Sequence, residues 1–258
     1  MSAAWSAEWL KLRRSRLPWI TVLALTIGAA AGGMFMFISL HPDKARDLGL
    51  LGAKAQLATL EATWPSYYGL LAQITAVGGL GIFGVSMVWM FGREFADHTA
   101  KDLLALPTGR AATVVAKFAV ATVWCLGLAV YLLAAGTGIG LLLRIPGALT
   151  SEVFLAGVAM VLVTAILTIA ITALFGLAAS IGRGYLPAIG VLFAVLFTAQ
   201  IVAALGYGAW FPFSVPALHA GVAGDDSPTW AGYAGVALVG VASVWATAAW
   251  WQRADHTR

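Results

Sequence analysis

The side chains in this sequence that could do chemistry are few and scattered. Four histidines, His41, His98, His219 and His256, stand apart, with no HExxH stretch and no pair at i,i+4 spacing. Zinc and haem sites need ligands at closer, repeated spacings, so no metal site is expected. Cys125 is the single cysteine, which excludes an intramolecular disulfide, and its apolar surroundings mark it as a small core residue. Ser214 and His219 lack the acid and the nucleophile elbow that a hydrolase would require. No GxxxxGK[ST] phosphate loop occurs, so ATP hydrolysis by that route is not expected of this chain. The chain does not read as an enzyme.

The densest polar stretch is GREFADHTAKDLLALPTGR, residues 92–110. Glu94 and Asp97 would suit a helix N-terminus, and Lys101 lies where the helix dipole favours a cation. Asp97 and Lys101 form an i,i+4 pair in the favourable order, worth about 0.3 kcal/mol if exposed. Phe95, Leu103, Leu104 and Leu106 add apolar contacts, and Pro107 would end the helix. A short amphipathic helix over about residues 93–106 is expected. It reads either as a solvated loop helix or as a docking helix for a partner.

The elements that carry these residues follow from composition. Of 258 residues, 61% are hydrophobic and only 10% charged, against roughly a quarter charged in a soluble domain. A helix needs about 20 residues to cross a hydrocarbon core of about 30 Å. Six runs meet that length: residues 18–40, 67–91, 113–143, 153–181, 185–207 and 230–251. The third and fourth exceed it and must tilt or project. Tryptophans such as Trp19, Trp64, Trp89, Trp210, Trp230, Trp250 and Trp251 cluster near run ends as an interfacial belt. The fold expected is a single all-α membrane domain over residues 1–258. Residues 2–16, with Trp5, Trp9, Lys11, Arg13, Arg14 and Arg16, read as an interfacial helix attracted to anionic lipid. The run over residues 18–40 exceeds the 7–15 residues of a signal h-region, so it reads as a retained first span.

Net charge is +4, but the basic residues sit in short segments between spans, which speaks for a bilayer protein rather than for nucleic acid. With the N-terminus inside, inner segments hold 11 Lys and Arg against four in the outer ones, Lys44, Arg46, Lys54 and Arg144. Both termini are therefore expected in the cytoplasm. Residues 208–229, apolar but broken by Pro and Gly, would form a re-entrant or interfacial cap outside. No Asp, Glu, Lys, Arg or His lies deep in a span, which argues against a proton relay. Gln73 and Gln200 are the notable polar residues there. Phe193 and Phe197 could line an apolar cleft or simply pack.

Three stretches resemble the permease subunits of ABC-2 type transporters, particularly the bacitracin and lantibiotic-immunity class. Glu8–Trp19 (EWLKLRRSRLPW) is similar to the elbow-helix start of that class. Glu94-x4-Thr99-x3-Leu103-Leu104-x2-Pro107-x2-Arg110-x6-Lys117 is similar to its coupling-helix region. Phe211–Ala220 (FPFSVPALHA) occupies the place of its extracellular re-entrant elements. His98 departs from the pattern, standing where a small residue, often Gly, is usual.

The resemblance implies an exporter in a bacterial inner membrane, working as a homodimer or a heterodimer with a related permease. Each permease would dock a separate ABC ATPase, which holds the ATP and Mg, so that no cofactor belongs to this chain. The implied ATPase contact is Glu94, Asp97, His98, Lys101 and Asp102, with Phe95 and Leu104 filling its groove and Arg110 and Lys117 supporting the base of the third span. Cargo would be an amphipathic peptide or drug. A passive channel or uncoupled carrier, and a membrane scaffold that recruits a cytoplasmic partner, are the alternatives from other classes.

Overall fold

A computed structural model of the protein describes residues 2–49, 61–99, 109–222 and 227–253. Along the chain lie α1 (Ser2–Arg14), α2 (Leu17–Leu40), α3 (Pro42–Asp47), α4 (Trp64–Ala96), α5 (Arg110–Leu142), α6 (Ser151–Ile181) and α7 (Tyr185–Ala204). A 3-10 turn (Gly208–Trp210), α8 (Val215–His219) and α9 (Trp230–Arg253) follow among the described residues. Helices α2, α4, α5, α6, α7 and α9 are each long and apolar enough to span a bilayer, as composition leads one to expect. Their starts are set locally. Thr63 accepts a hydrogen bond from the Ser66 amide (3.5 Å) and Thr150 from the Val153 amide (3.3 Å), satisfying amides that have no helical partner. Pro18 lies in the first turn of α2, where its missing N–H costs nothing.

Helix α4 is the axis of the bundle. Its most apolar window is 61% buried, against 17% for α7 and 22% for α9. It packs along α6, with α7 against both, α9 on α6, and α1 and α2 on α5. Close approach of α4 and α6 requires glycine. A Cβ at Gly157 would run into the Tyr68 ring, and one at Gly176 would lie 2.9 Å from Phe91. Polar side chains inside α6 are satisfied by their own helix: Thr164, Thr168 and Thr172 donate to backbone carbonyls of the preceding turn at 2.7–2.8 Å. The surface left exposed is apolar, including Trp19, Leu142, Leu186 and Trp230.

Helices α4, α5 and α6 have 33, 33 and 31 residues. At about 1.5 Å per residue they reach roughly 50 Å, well beyond a hydrocarbon core of about 30 Å. The excess carries the polar residues. Helix α4 therefore overruns the expected end of its span at residue 91 and continues through Ala96. The separate helix expected to start at residue 93 does not start there, because hydropathy marks where a bilayer ends and not where backbone hydrogen bonding stops. At its end the Thr99 amide donates to the Glu94 carbonyl (2.9 Å) and the His98 amide to that of Phe95 (3.3 Å), while His98 has φ of 57°. This is a Schellman closure with His98 at the left-handed position that favours glycine.

The opposite end is closed by residues 208–222. The Thr229 amide and hydroxyl both donate to the Ala209 carbonyl, at 3.1 and 3.0 Å. Gln73 Nε2 of α4 donates to the Gly221 carbonyl at 3.3 Å. The segment thus folds back as a cap over the ends of α7 and α9 and against the sides of α4 and α6.

Candidate functional site

One face of α1 buries Ala4, Glu8 and Leu12, spaced by four residues. A carboxylate in the middle of an apolar stripe needs a cation, and the fold supplies two. Glu8 Oε1 accepts from Lys11 Nζ at 2.8 Å, and Glu8 Oε2 accepts from Lys117 Nζ of α5 at 2.9 Å. Glu94 of α4 completes the set: its Oε1 accepts from Lys11 (2.8 Å) and Lys117 (2.7 Å), and its Oε2 from the Thr99 hydroxyl (2.8 Å). Lys117 also donates to the Met90 carbonyl at 3.1 Å, so all three of its N–H bonds are used. Glu8, Glu94 and Lys117 are 2%, 3% and 0% exposed.

Two ammonium groups against two carboxylates leave the cluster neutral. Such burial is tolerated because every charge is paired and hydrogen-bonded; the desolvation of a single unpartnered ion would outweigh its attractions. Lys11 lies at the edge. Burial alone would lower its pKa, but the bonds and charges of Glu8 and Glu94 together outweigh that and hold it above its ordinary 10.5. Lys117 stands seven residues into α5, about 10 Å from its start, within the length by which α5 exceeds a bilayer core.

Both roots of the loop between α4 and α5 are fastened to the bundle. Thr99 is tied to Glu94, and Arg110 Nη1 donates to the carbonyls of Trp251 (3.4 Å) and Gln252 (3.3 Å) at the end of α9. Trp251 in turn donates to Ser180 Oγ of α6 at 3.0 Å. Five helices, α1, α4, α5, α6 and α9, are thereby joined at one end.

The expected contact residues divide accordingly. Glu94 is not a surface residue but the hub of the buried cluster. Phe95 packs between Trp250 and Trp251, with ring centroids 6.0 and 5.8 Å away. Asp97 is exposed and pairs back with Arg93 (Nε–Oδ2 3.0 Å) within α4. His98 is exposed beside it. Lys101, Asp102 and Leu104 lie outside the described residues. Sequence reasoning missed Glu8 and Lys11. The available signal was a Glu at the centre of an apolar stripe, and a Lys at 117 inside an apolar run with no local acid.

The family model for ABC-2 family transporter protein matches residues 5–200. This chain belongs to the ABC-2 transporter family. No curated protein and no solved structure matches it. The matched region takes in every member of the ion cluster and ends within α7. With six membrane-competent helices among the described residues, this ABC-2 family member is a multi-pass transmembrane component of a transporter.

At the capped end of this ABC-2 family protein, a cavity of about 260 Å³ opens between α4, α7 and the cap. Its walls include Ala76, Leu80, Leu196, Phe213 and Leu218, with Gln200 supplying a side-chain amide. Gln73 is engaged with the cap backbone instead. Phe193 and Phe197 stack on each other with centroids 6.5 Å apart, on an exposed face of α7; neither lines this cavity.

Proposed function

We propose that this chain is the membrane subunit of an ATP-driven exporter akin to the bacitracin and lantibiotic-immunity class, residing in a bacterial inner membrane. Two permeases, identical or related, form the path, and a separate ABC ATPase holding ATP and Mg docks on each. The end bearing α1 and the loop over residues 97–109 faces the cytoplasm together with both termini, and the cap faces outward. The observation that carries this reading is the anchoring of both loop roots. A push on the loop reaches Glu94 through Thr99, and through Glu94 and Lys117 it reaches α1 and α5; through Arg110 it reaches α9. A partner that changes shape on nucleotide binding could thus move the ends of several spans together. Asp97, His98, Lys101, Asp102 and Leu104 form the contact, while Glu94, Phe95, Arg110 and Lys117 position the loop from within. The cavity beneath the cap, apolar but for Gln200, suits an amphipathic peptide or drug.

The test is purification of the tagged chain from native membranes in mild detergent, with mass spectrometry of what accompanies it. A stoichiometric soluble subunit with a phosphate-loop motif is expected. It should be lost in the Lys101→Glu/Asp102→Lys variant without change in the unfolding temperature of the permease. Purification of the chain alone, or with partners that lack any ATPase, overturns the reading.

A further inference from the structure

Beside the ion cluster, a groove of about 350 Å³ separates α1 from the end of α4 and the start of α7. Three cations line it, Lys11, Arg14 and Arg93, against one carboxylate, Asp97. Their commitments differ. Lys11 is turned inward to Glu8 and Glu94. Arg93 spends Nε on Asp97 and lies over the Trp89 ring, 5.1 Å from its centroid. The Arg14 side chain is exposed and makes no hydrogen bond or ion pair among the described residues. Ser15 and Tyr185 also line the groove, but the Ser15 hydroxyl already donates to the Leu12 carbonyl at 2.8 Å. The arrangement is a groove of positive charge around an uncommitted guanidinium, and its chemistry calls for a phosphate.

We infer that this groove seats the phosphate of one anionic membrane lipid, with Arg14 as the principal ligand and Arg93 as the second. The surroundings favour a lipid over a soluble phosphate. Groove residues Leu10 and Trp89 are apolar or interfacial in type. Flanking residues are exposed and apolar: Leu186, next to Tyr185, is 81% exposed, and Trp19, at the start of the first span, is 80% exposed. The groove thus sits where an amphipathic helix turns into a span, with surface suited to acyl chains on either side. Diffuse attraction of α1 to anionic lipid would use Arg13 and Arg16, which are exposed but do not line the groove, as much as Arg14. A built seat would not. The inference requires only that the chain spans a membrane; it does not depend on coupling to an ATPase.

The full-length chain in mild detergent is titrated with phosphatidylglycerol, phosphatidylcholine or inorganic phosphate, with bound lipid read by native mass spectrometry and unfolding temperature read in parallel. Phosphatidylglycerol is expected to bind and to raise the unfolding temperature, whereas phosphatidylcholine and inorganic phosphate do neither. Arg14→Gln, which breaks no internal contact, should weaken phosphatidylglycerol binding about tenfold while leaving the lipid-free unfolding temperature unchanged. Arg13→Gln/Arg16→Gln should retain it within about twofold. Equal loss in both variants, or equal binding of phosphatidylcholine, overturns the seat in favour of diffuse attraction. An equal shift with inorganic phosphate alone overturns the lipid in favour of a soluble anion.

Discussion

Lys117 has no local acid in its helix, yet its ammonium is saturated by Glu8, Glu94 and the Met90 carbonyl. Removing it leaves two buried carboxylates sharing one cation at the edge. Lys117→Met should therefore destabilise the fold by about 3–5 kcal/mol, the usual cost of breaking a buried pair, measurable by thermal unfolding in detergent. Adding Glu94→Gln to that variant should recover part of the loss, because one uncompensated charge disappears. An unchanged unfolding temperature in Lys117→Met would mean that water reaches the cluster. Lys11 adds a pH signature. Its raised pKa means that its contribution is complete below 10.5 and is lost as pH rises through the higher folded value. At the end of α4, His98 pays for a left-handed φ that glycine adopts freely. His98→Gly should stabilise the protein by about 0.5–1 kcal/mol if the imidazole has no second role. If it contacts the ATPase, the same variant should weaken that association even as the permease becomes more stable.

At the scale of elements, packing of α4 on α6 depends on small residues at the crossing. Gly157→Leu would place a side chain where the Tyr68 ring lies. The expected cost is about 1–3 kcal/mol, as for other overpacked cores, seen as a lower unfolding temperature. Gly138, where an added Cβ would meet nothing within 4 Å, is the control and should tolerate Ala. The length of the helices also explains why residues 93–96 misled sequence reading. Arg93 and Glu94 look like the start of a polar loop element. A charged residue can extend a helix, however, provided that its charge is met outside the bilayer, and Glu94 meets two lysines, one of them from α1. The break comes only at His98, where backbone geometry changes hand.

The whole molecule has two ends of different character. One is fastened by charge, through α1, the roots of the loop and α9. The other is closed by an apolar cap, where His219 Nδ1 lies 2.7 Å from the Tyr233 hydroxyl of α9. Burial holds the His219 pKa below its ordinary 6.5. Its contribution to cap stability is thus complete above pH 6.5 and is lost as pH falls through the lowered value. The protection of amides from hydrogen exchange across residues 215–222, taken relative to their intrinsic exchange rates at each pH, should fall at pH 5 relative to pH 7.5, and His219→Phe should remove that loss of protection. Protection that is the same at both pH values would show that this contact does not hold the cap.

Sequence alone pointed to an all-α chain with six helices long and apolar enough to span a bilayer. These follow from local quantities: the length of uncharged runs and the placement of proline and tryptophan. It also singled out the segment over residues 92–110, because polar residues are conspicuous in so apolar a chain. Only the tertiary structure decided what those polar residues do. Glu8 and Lys117 are separated by 109 positions, and nothing in the spacing of either foretells that α1 folds back on α5. The same closure moved Glu94 from an expected surface contact to a buried hub and left Arg14 facing an open groove. Charge pairing across distant segments depends on which helix faces meet, and it is long-range packing rather than local pattern that selects them.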